Sequence, residues 1–107
     1  MIVETLLPLG KLDPCLREPE IPLDIREFGA LAAVAEDVGV GAVLVEETKD
    51  DPYQLLALGA ATTSSVQLGT SVAMAFPRSP TSTAMSAWSL QKLSGGRFLL
   101  GLGTQVR

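Results

Sequence analysis

Three segments of the sequence carry side chains that could do chemistry, and each follows an apolar run. They are residues 46–51, 71–80 and 103–107. The first is acidic, and its carboxylates could act as a general base, position a polar substrate or bind a hard cation. Glu47 is the best functional candidate, because it lies at the end of an apolar run. Asp50 and Asp51 are explained more simply as a solvated loop with a helix cap.

The composition excludes several classes of function. The sequence has no histidine, the commonest general base and metal ligand, so any chemistry must use other groups, and no metal site is predicted. The net charge is −4 and the basic residues are scattered, which leaves no electrostatic footprint for nucleic acid. Cys15 is the only cysteine, and we expect neither an internal disulfide nor a catalytic thiol from it. Nucleic acid is therefore not an expected partner.

The sequence also bears on where the protein works. No apolar stretch reaches the length of about 18 residues that a membrane span needs. The first ten residues lack the basic flank and the small-residue cleavage site of a secretory signal. Together with the single cysteine, these features predict a soluble cytoplasmic protein.

Apolar periodicity indicates strands and helices that alternate along the chain. The sequence predicts four strands, at residues 2–7, 42–45, 66–73 and 97–102, and three helices, at residues 25–38, 52–61 and 80–93. Asp51, Ser79 and Gly95 are typical of the residues that cap helices. Three apolar residues of the third helix are interpreted as core, namely Trp88, Leu90 and Leu93. Strands joined by helical crossovers predict a parallel sheet in one α/β domain that covers residues 1–107.

Two architectures fit this order, a closed barrel and an open doubly wound sheet. In both, ligands bind beyond the carboxyl ends of the strands. Gly101 and Gly103 invite a dinucleotide-binding interpretation, but Val106 stands where the last glycine of that fingerprint would be. The alternative is that the two glycines allow tight packing or a close backbone approach at a barrel rim, where a cofactor ring could need the space.

One long segment resembles a known family. Residues 68–103, LGTSVAMAFPRSPTSTAMSAWSLQKLSGGRFLLGLG, resemble the luciferase-like monooxygenases, including their deazaflavin-dependent oxidoreductases. The specific marks are residues 68–70, the helix with Trp88 and Gln91, and the turn at residues 94–98. Residues 45–53 also resemble the loop after strand two of a deazaflavin-dependent subgroup. The similarity covers nearly the whole chain.

The resemblance implies a fold and a cofactor. It implies a TIM-type barrel, an oxidoreductase that uses a deazaflavin or FMN at the C-terminal mouth, and hydride transfer or, with FMN, oxygen activation. The deazaflavin is slightly favoured, because the acidic loop is closest to that subgroup. In such proteins a bulge in strand three with a non-proline cis peptide backs the ring, and the matching bond is Ser71–Val72. The cofactor-binding residues implied are Ser71, Val72, Ala73, Gly103 and Thr104.

The resemblance leaves the catalytic residues open. Glu47 matches an acidic position near the cofactor in the family. Thr48 stands where many relatives carry a histidine, so their acid–base chemistry does not transfer intact. Glu47 and Thr48 remain candidates only.

The predicted elements amount to about the first half of an eight-stranded barrel, β-α-β-α-β-α-β. A half-barrel would expose strand edges and apolar helix faces, so we expect a homodimer or higher oligomer that completes the sheet. The alternative to an oxidoreductase is a noncatalytic barrel fragment or interaction subunit without a complete cofactor site.

Overall fold

A computed structural model describes residues 4–6 and 24–104. The strands are β1 (Glu4–Leu6), β2 (Ala42–Val45), β3 (Gln67–Thr70), β4 (Ala73–Met74), β5 (Phe98–Leu99) and β6 (Leu102–Gly103). The helices are α1 (Phe28–Asp37), which follows a 3-10 turn at Ile25–Glu27, α2 (Pro52–Thr62) and α3 (Pro80–Ser94). Cys15, Val106 and the ends of the first predicted strand lie outside the described residues. The predicted alternation of strands and helices is confirmed.

The strands form parallel ladders in sequential order. β1, β2, β3 and β5 make a four-stranded sheet in that order, and β4 pairs with β6 beyond it. A doubly wound sheet reverses its strand order at a switch point, and the described strands have no such reversal. The α/β class with parallel β/α units is therefore confirmed. The strands are neighbours in the order in which they occur in the sequence, as in a β/α barrel. The described strands do not close into a barrel.

The two faces of the sheet differ. The face toward the helices carries core residues in register, among them Val43, Leu68 and Phe98, packed with Phe28, Leu55 and Leu56. Leu44, Gly69 and Leu99 are in register on the other face, and a Cβ on Gly69 would lie 3.1 Å from atoms of both leucines. Leu99 is 42% exposed. Among the described residues, the helices thus pack on one face only.

Two of the predicted strands are broken, which corrects the continuous strands over residues 66–73 and 97–102. The ladder stops after Thr70 and resumes at Ala73, and the neighbouring strand is interrupted at residues 100–101. The Thr70 hydroxyl donates to the Gly101 carbonyl at 2.7 Å and accepts from the Gly101 amide at 2.8 Å. The Thr70 side chain thus takes the Gly101 amide and shares the Gly101 carbonyl with the Ala73 amide. Apolar periodicity does not detect such an exchange.

The helix ends follow the predicted signals. Asp51 accepts from the Tyr53 amide at 2.8 Å, and Ser79 accepts from the Ser82 amide at 3.1 Å, each with proline as the first helical residue. Gly95 ends α3 with a left-handed φ of 67°. These local signals are confirmed because a cap depends on neighbours in the sequence rather than on tertiary contacts.

The core interpretation of α3 was right for Leu90 and wrong for Trp88 and Leu93. Leu90 is 4% exposed, whereas Trp88 is 65% exposed and Leu93 51% exposed. Trp88 lies two residues from Leu90, which is about 200° around a helix of 3.6 residues per turn. Its ring instead contacts Lys92, whose ammonium lies 5.8 Å from the ring centroid. The buried line of α3 uses small residues, Thr83 and Ser94, beside Leu90.

Arg97 joins the ends of two helices to the start of a strand. Its guanidinium donates to the Ser94 carbonyl at 2.6 Å, to the Val66 carbonyl at 2.7 Å and to the Thr63 carbonyl at 3.0 Å. It also donates to the Thr63 hydroxyl at 2.9 Å. Carbonyls at helix C-termini lack helical partners, and a cation suits that end of the dipole. Arg97 is therefore a structural residue.

Glu36 fixes the turn before β3 to the last turn of α1. Its carboxylate accepts from the amides of Ser64, Ser65 and Val66 at 3.0, 2.7 and 2.9 Å, and from the Ser65 hydroxyl at 3.1 Å. The backbone amides of Ser65 and Val66 are the main cause that lowers the pKa of Glu36 to about 2. The ionised carboxylate thus favours the folded chain.

Replacing Glu36 with glutamine is expected to lower the free energy of unfolding at neutral pH by about 1 kcal/mol. Because the folded pKa lies below the usual value of 4.5, the contribution is complete above that value and is lost as the pH falls toward 2. The difference between wild type and Glu36→Gln should therefore shrink in acid. Urea unfolding of both proteins at neutral pH and at about pH 2.5 measures this difference, and an equal gap at both pH values would contradict the prediction.

Candidate functional site

The structure brings most of the predicted site residues together where the strands end. The Glu47 amide donates to the Val72 carbonyl at 3.4 Å, and the Ser71 amide donates to the Val45 carbonyl at 2.8 Å. The Ala73 amide donates to the Gly101 carbonyl at 2.8 Å. These bonds link the ends of β2, β3 and β5 across the strand breaks. We call residues 71–74 together with residues 101–104 the strand-end surface.

The bond between Ser71 and Val72 is a cis peptide, as the resemblance implied. Ser71 and Val72 are exposed, while Ala73 is fully buried. Thr104 is exposed and Gly103 half-buried. Thr48 is exposed as well, and its role stays a prediction. Ala73 thus offers no accessible atoms to a ligand, and its role in a cofactor site stays a prediction.

Glu47 is held on both of its carboxylate oxygens. Oε1 accepts from the Met74 amide and from Nη1 of Arg78, and Oε2 accepts from Nη2 of Arg78, each at 2.8 Å. The Glu47 side chain is only 10% exposed. The hydrogen bond from Arg78 is the main cause that lowers the pKa of Glu47, and it outweighs the opposing effect of burial. A carboxylate that stays ionised and already has partners positions its neighbours better than it accepts a proton.

Arg78 was missed by the sequence analysis. Besides Glu47, its guanidinium lies 3.6 Å from Oδ1 of Asp51 and 4.9 Å from the ring centroid of Tyr53. Glu47 raises the pKa of Arg78, and burial raises the pKa of Tyr53. We call these four residues the Arg78 cluster. A lone arginine in residues 71–80, opposite an acidic loop of residues 46–51, was the signal in the sequence that could have found it.

The two glycines at the strand ends are required by packing within the protein. A Cβ on Gly101 would overlap the Thr70 carbonyl oxygen, and a Cβ on Gly103 would lie 2.7 Å from Cγ2 of Val72. This supports the close-approach alternative and places Val72 directly against Gly103. The dinucleotide-binding interpretation has no support in the strand order described above.

The strand-end surface combines apolar and polar groups. Val72 and Leu102 are 44% and 48% exposed, and Phe76, in the loop after β4, is 82% exposed. Ser71 and Thr104 add exposed hydroxyls. A surface of this kind can support a flat aromatic ring and contact its polar edge. The described residues include no group of three acidic, histidine or cysteine side chains arranged to hold a metal ion.

None of the helices described has the length and hydropathy needed to cross a bilayer. The longest of them, α3, has 15 residues.

Comparison with known proteins gives a consistent family match. The model of the luciferase-like monooxygenase family matches residues 9–107. A Mycobacterium tuberculosis protein named as a coenzyme F420-dependent oxidoreductase is 47% identical over 79 residues, which are 73% of this chain and 23% of that protein. The chain spans about a quarter of the length of the curated relatives it matches.

Solved structures show the same fold. The monooxygenase RslO1 from Streptomyces bottropensis matches with a TM-score of 0.81 and 24% identity, over 99% of this chain and 34% of that one. The oxygenating constituent of 3,6-diketocamphane monooxygenase from Pseudomonas putida, solved with FMN, matches with a TM-score of 0.79 and 18% identity, over 100% of this chain and 30% of that one. The architecture of the described residues is therefore part of the TIM-type barrel of these proteins.

Proposed function

The chain belongs to the luciferase-like monooxygenase family, and we propose that its strand-end surface supports the ring of a deazaflavin or FMN in an oxidoreductase of that family. One observation carries the proposal. Val72 lies against Gly103 across the break between β3 and β4, so exposed groups from two strands form one surface at the strand ends. Ligands of parallel β/α folds bind at this end of the strands.

The residues fit a flavin-type group in four ways. Val72 offers an apolar side chain for the face of the ring, and Ser71 and Thr104 offer hydroxyls for its polar edge. Gly103 has no side chain, so its backbone can lie directly against Val72. Glu47 holds the Met74 amide and the Val72 carbonyl in place. Such a group, when bound, would supply hydride transfer or, with FMN, oxygen activation.

The deazaflavin is the cofactor we favour. The relative named as a coenzyme F420-dependent oxidoreductase is 47% identical in sequence, whereas the structure solved with FMN is 18% identical. The substrate is a small molecule that would approach the exposed side of the ring. Glu47 and Thr48 lie in the polar loop that follows β2 at this end of the sheet.

Titration of the chain with the deazaflavin and with FMN tests the proposal. We expect saturable binding, with a dissociation constant on the order of 1–100 µM, because the surface covers one side of the ring only. Gly103→Val places a branched side chain against Val72 and should abolish binding. Val38→Thr is the matched control, because Val38 is 73% exposed and precedes β2, at the opposite end of the strands.

Failure to bind would favour the alternative function. A folded chain that binds neither ligand would indicate a noncatalytic barrel fragment or interaction subunit. The homodimer or higher oligomer expected from exposed strand edges also stays a prediction, and light scattering on the same samples measures it. A strictly monomeric species at micromolar concentration would contradict it.

A further inference from the structure

We propose that Arg78 is a positioning residue for the flavin-type ring, because it fixes the Glu47 carboxylate that holds β4 at the strand-end surface. The inference rests on the proposed function and deepens it. Arg78 would act on the ring through Glu47 and not by direct contact.

Glu47 holds β4 at two points. Its amide donates to the Val72 carbonyl at 3.4 Å, and its carboxylate accepts from the Met74 amide at 2.8 Å. These two groups flank Ala73, so a single residue after β2 fixes the backbone on both sides of it. β4 has only two residues and, among the described strands, pairs with β6 alone, so few other backbone hydrogen bonds fix its position.

Arg78 determines where the Glu47 carboxylate lies. Both carboxylate oxygens receive a guanidinium nitrogen at 2.8 Å, which is the bidentate geometry that gives the most directional charged contact. The two side chains are 10% and 19% exposed, so water screens the pair only partly. Without Arg78, the Met74 amide would be the remaining hydrogen-bond donor to the carboxylate in the described part of the chain.

Arg78 is itself fixed from α2. Its guanidinium lies over the Tyr53 ring at 4.9 Å and 3.6 Å from Asp51, and both residues belong to the start of that helix. Tyr53 is 5% exposed and part of the core. The Arg78 cluster therefore links the backbone of β4 to α2, a helix that is fixed by its packing in the core. Because its donors face Glu47 and Asp51, Arg78 is placed to position Glu47 and not to bind a substrate anion.

The test uses Arg78→Gln, with Arg26→Gln as its matched control. Arg26 also pairs with a carboxylate, that of Asp24, but it is largely exposed and lies before α1. Two quantities are measured, the exchange rate of the Met74 amide by NMR and the affinity for the deazaflavin and FMN. In Arg78→Gln we expect exchange of the Met74 amide to accelerate about tenfold and affinity to fall about tenfold. The Leu68 amide, which donates to the Arg97 carbonyl at 2.9 Å, should keep its protection.

The pH profile separates positioning from a general loss of structure. The carboxylate of Glu47 faces Arg78 and lies near Asp51 and Tyr53 in the same cluster. Removing the guanidinium leaves burial, which raises the pKa of Glu47, opposed only by the smaller effect of the Met74 amide. Binding by Arg78→Gln should therefore weaken as the solution is made mildly acidic. Wild type and Arg26→Gln should keep their affinity over the same pH range, because Arg78 keeps Glu47 ionised in both proteins.

Each outcome has a defined meaning. Unchanged Met74 exchange or unchanged affinity in Arg78→Gln overturns the positioning role. If Arg78→Gln does not fold, Glu47→Gln is measured in the same way, and unchanged Met74 exchange in that variant also overturns it. The wild-type titration alone decides the proposed function: if wild type binds neither ligand, the function fails first and the role toward the ring fails with it.

Discussion

Replacing Arg97 with alanine is expected to lower the free energy of unfolding by about 3–4 kcal/mol, the largest effect of any single substitution proposed for this chain. The variant removes donors to the carbonyls of Ser94, Val66 and Thr63 and leaves these partly buried acceptors without the partner they have now. An unsatisfied buried carbonyl costs more than the hydrogen bond itself contributes. The cost is therefore high although these acceptors are neutral carbonyls and not carboxylates.

The effect should depend on the shape of the guanidinium as well as on its charge. Arg97→Lys keeps the charge but has one ammonium in place of a planar fork, so it reaches one helix end at a time. We expect it to recover less than half of the loss. Arg26→Ala is the control, because Arg26 is exposed and, in the described part of the chain, pairs with Asp24 alone. Urea unfolding measures all three variants, and a loss below about 1 kcal/mol for Arg97→Ala would show that the three elements hold together without it.

Replacing Gly101 with alanine is expected to cost about 2–3 kcal/mol and to abolish cofactor binding. A Cβ at this position would overlap the Thr70 carbonyl oxygen, and backbone atoms cannot move aside as a side chain does. The substitution would separate Gly101 from Thr70, whose hydroxyl makes two hydrogen bonds to it. Because Gly101 also accepts from the Ala73 amide, the strand-end surface would move with it.

Gly95→Ala is the informative comparison. Gly95 has a left-handed φ of 67°, but a Cβ there would meet no atom within 4 Å. The expected cost is about 1 kcal/mol, which reflects the backbone conformation alone, and ligand binding should be unchanged. Chemical denaturation and the same ligand titration distinguish the two glycines. Equal stability losses, or retained binding by Gly101→Ala, would contradict the close-approach explanation.

The strand-end surface and the Arg78 cluster have different roles at this end of the strands. Exposed groups of Ser71, Val72 and Thr104 are available to a ligand, whereas the Arg78 cluster is directed inward and fixes the backbone beneath them. Substitutions in the first set should change affinity with little effect on stability. Substitutions in the second should change both, and only they should introduce a pH dependence of binding.

The sequence by itself determined the local and sequential features of this protein. The alternation of strands and helices, the caps at Asp51 and Ser79, and the left-handed end at Gly95 depend on residues close together in the chain. The resemblance over residues 68–103 added the family, the barrel type of fold and the cis bond between Ser71 and Val72. These features follow from short-range patterns, which remain visible without coordinates.

Only the tertiary structure decided which residues of different elements contact one another. The Thr70 hydroxyl interrupts two strands through Gly101, 31 residues away, and Arg78 reaches Glu47 across the same separation. Trp88 was assigned to the core from its apolar character, yet the line of α3 that meets the sheet passes through Leu90 on the opposite side. Periodicity records which residues are apolar, but a hydrogen bond or ion pair between distant residues depends on the positions into which packing brings their backbones.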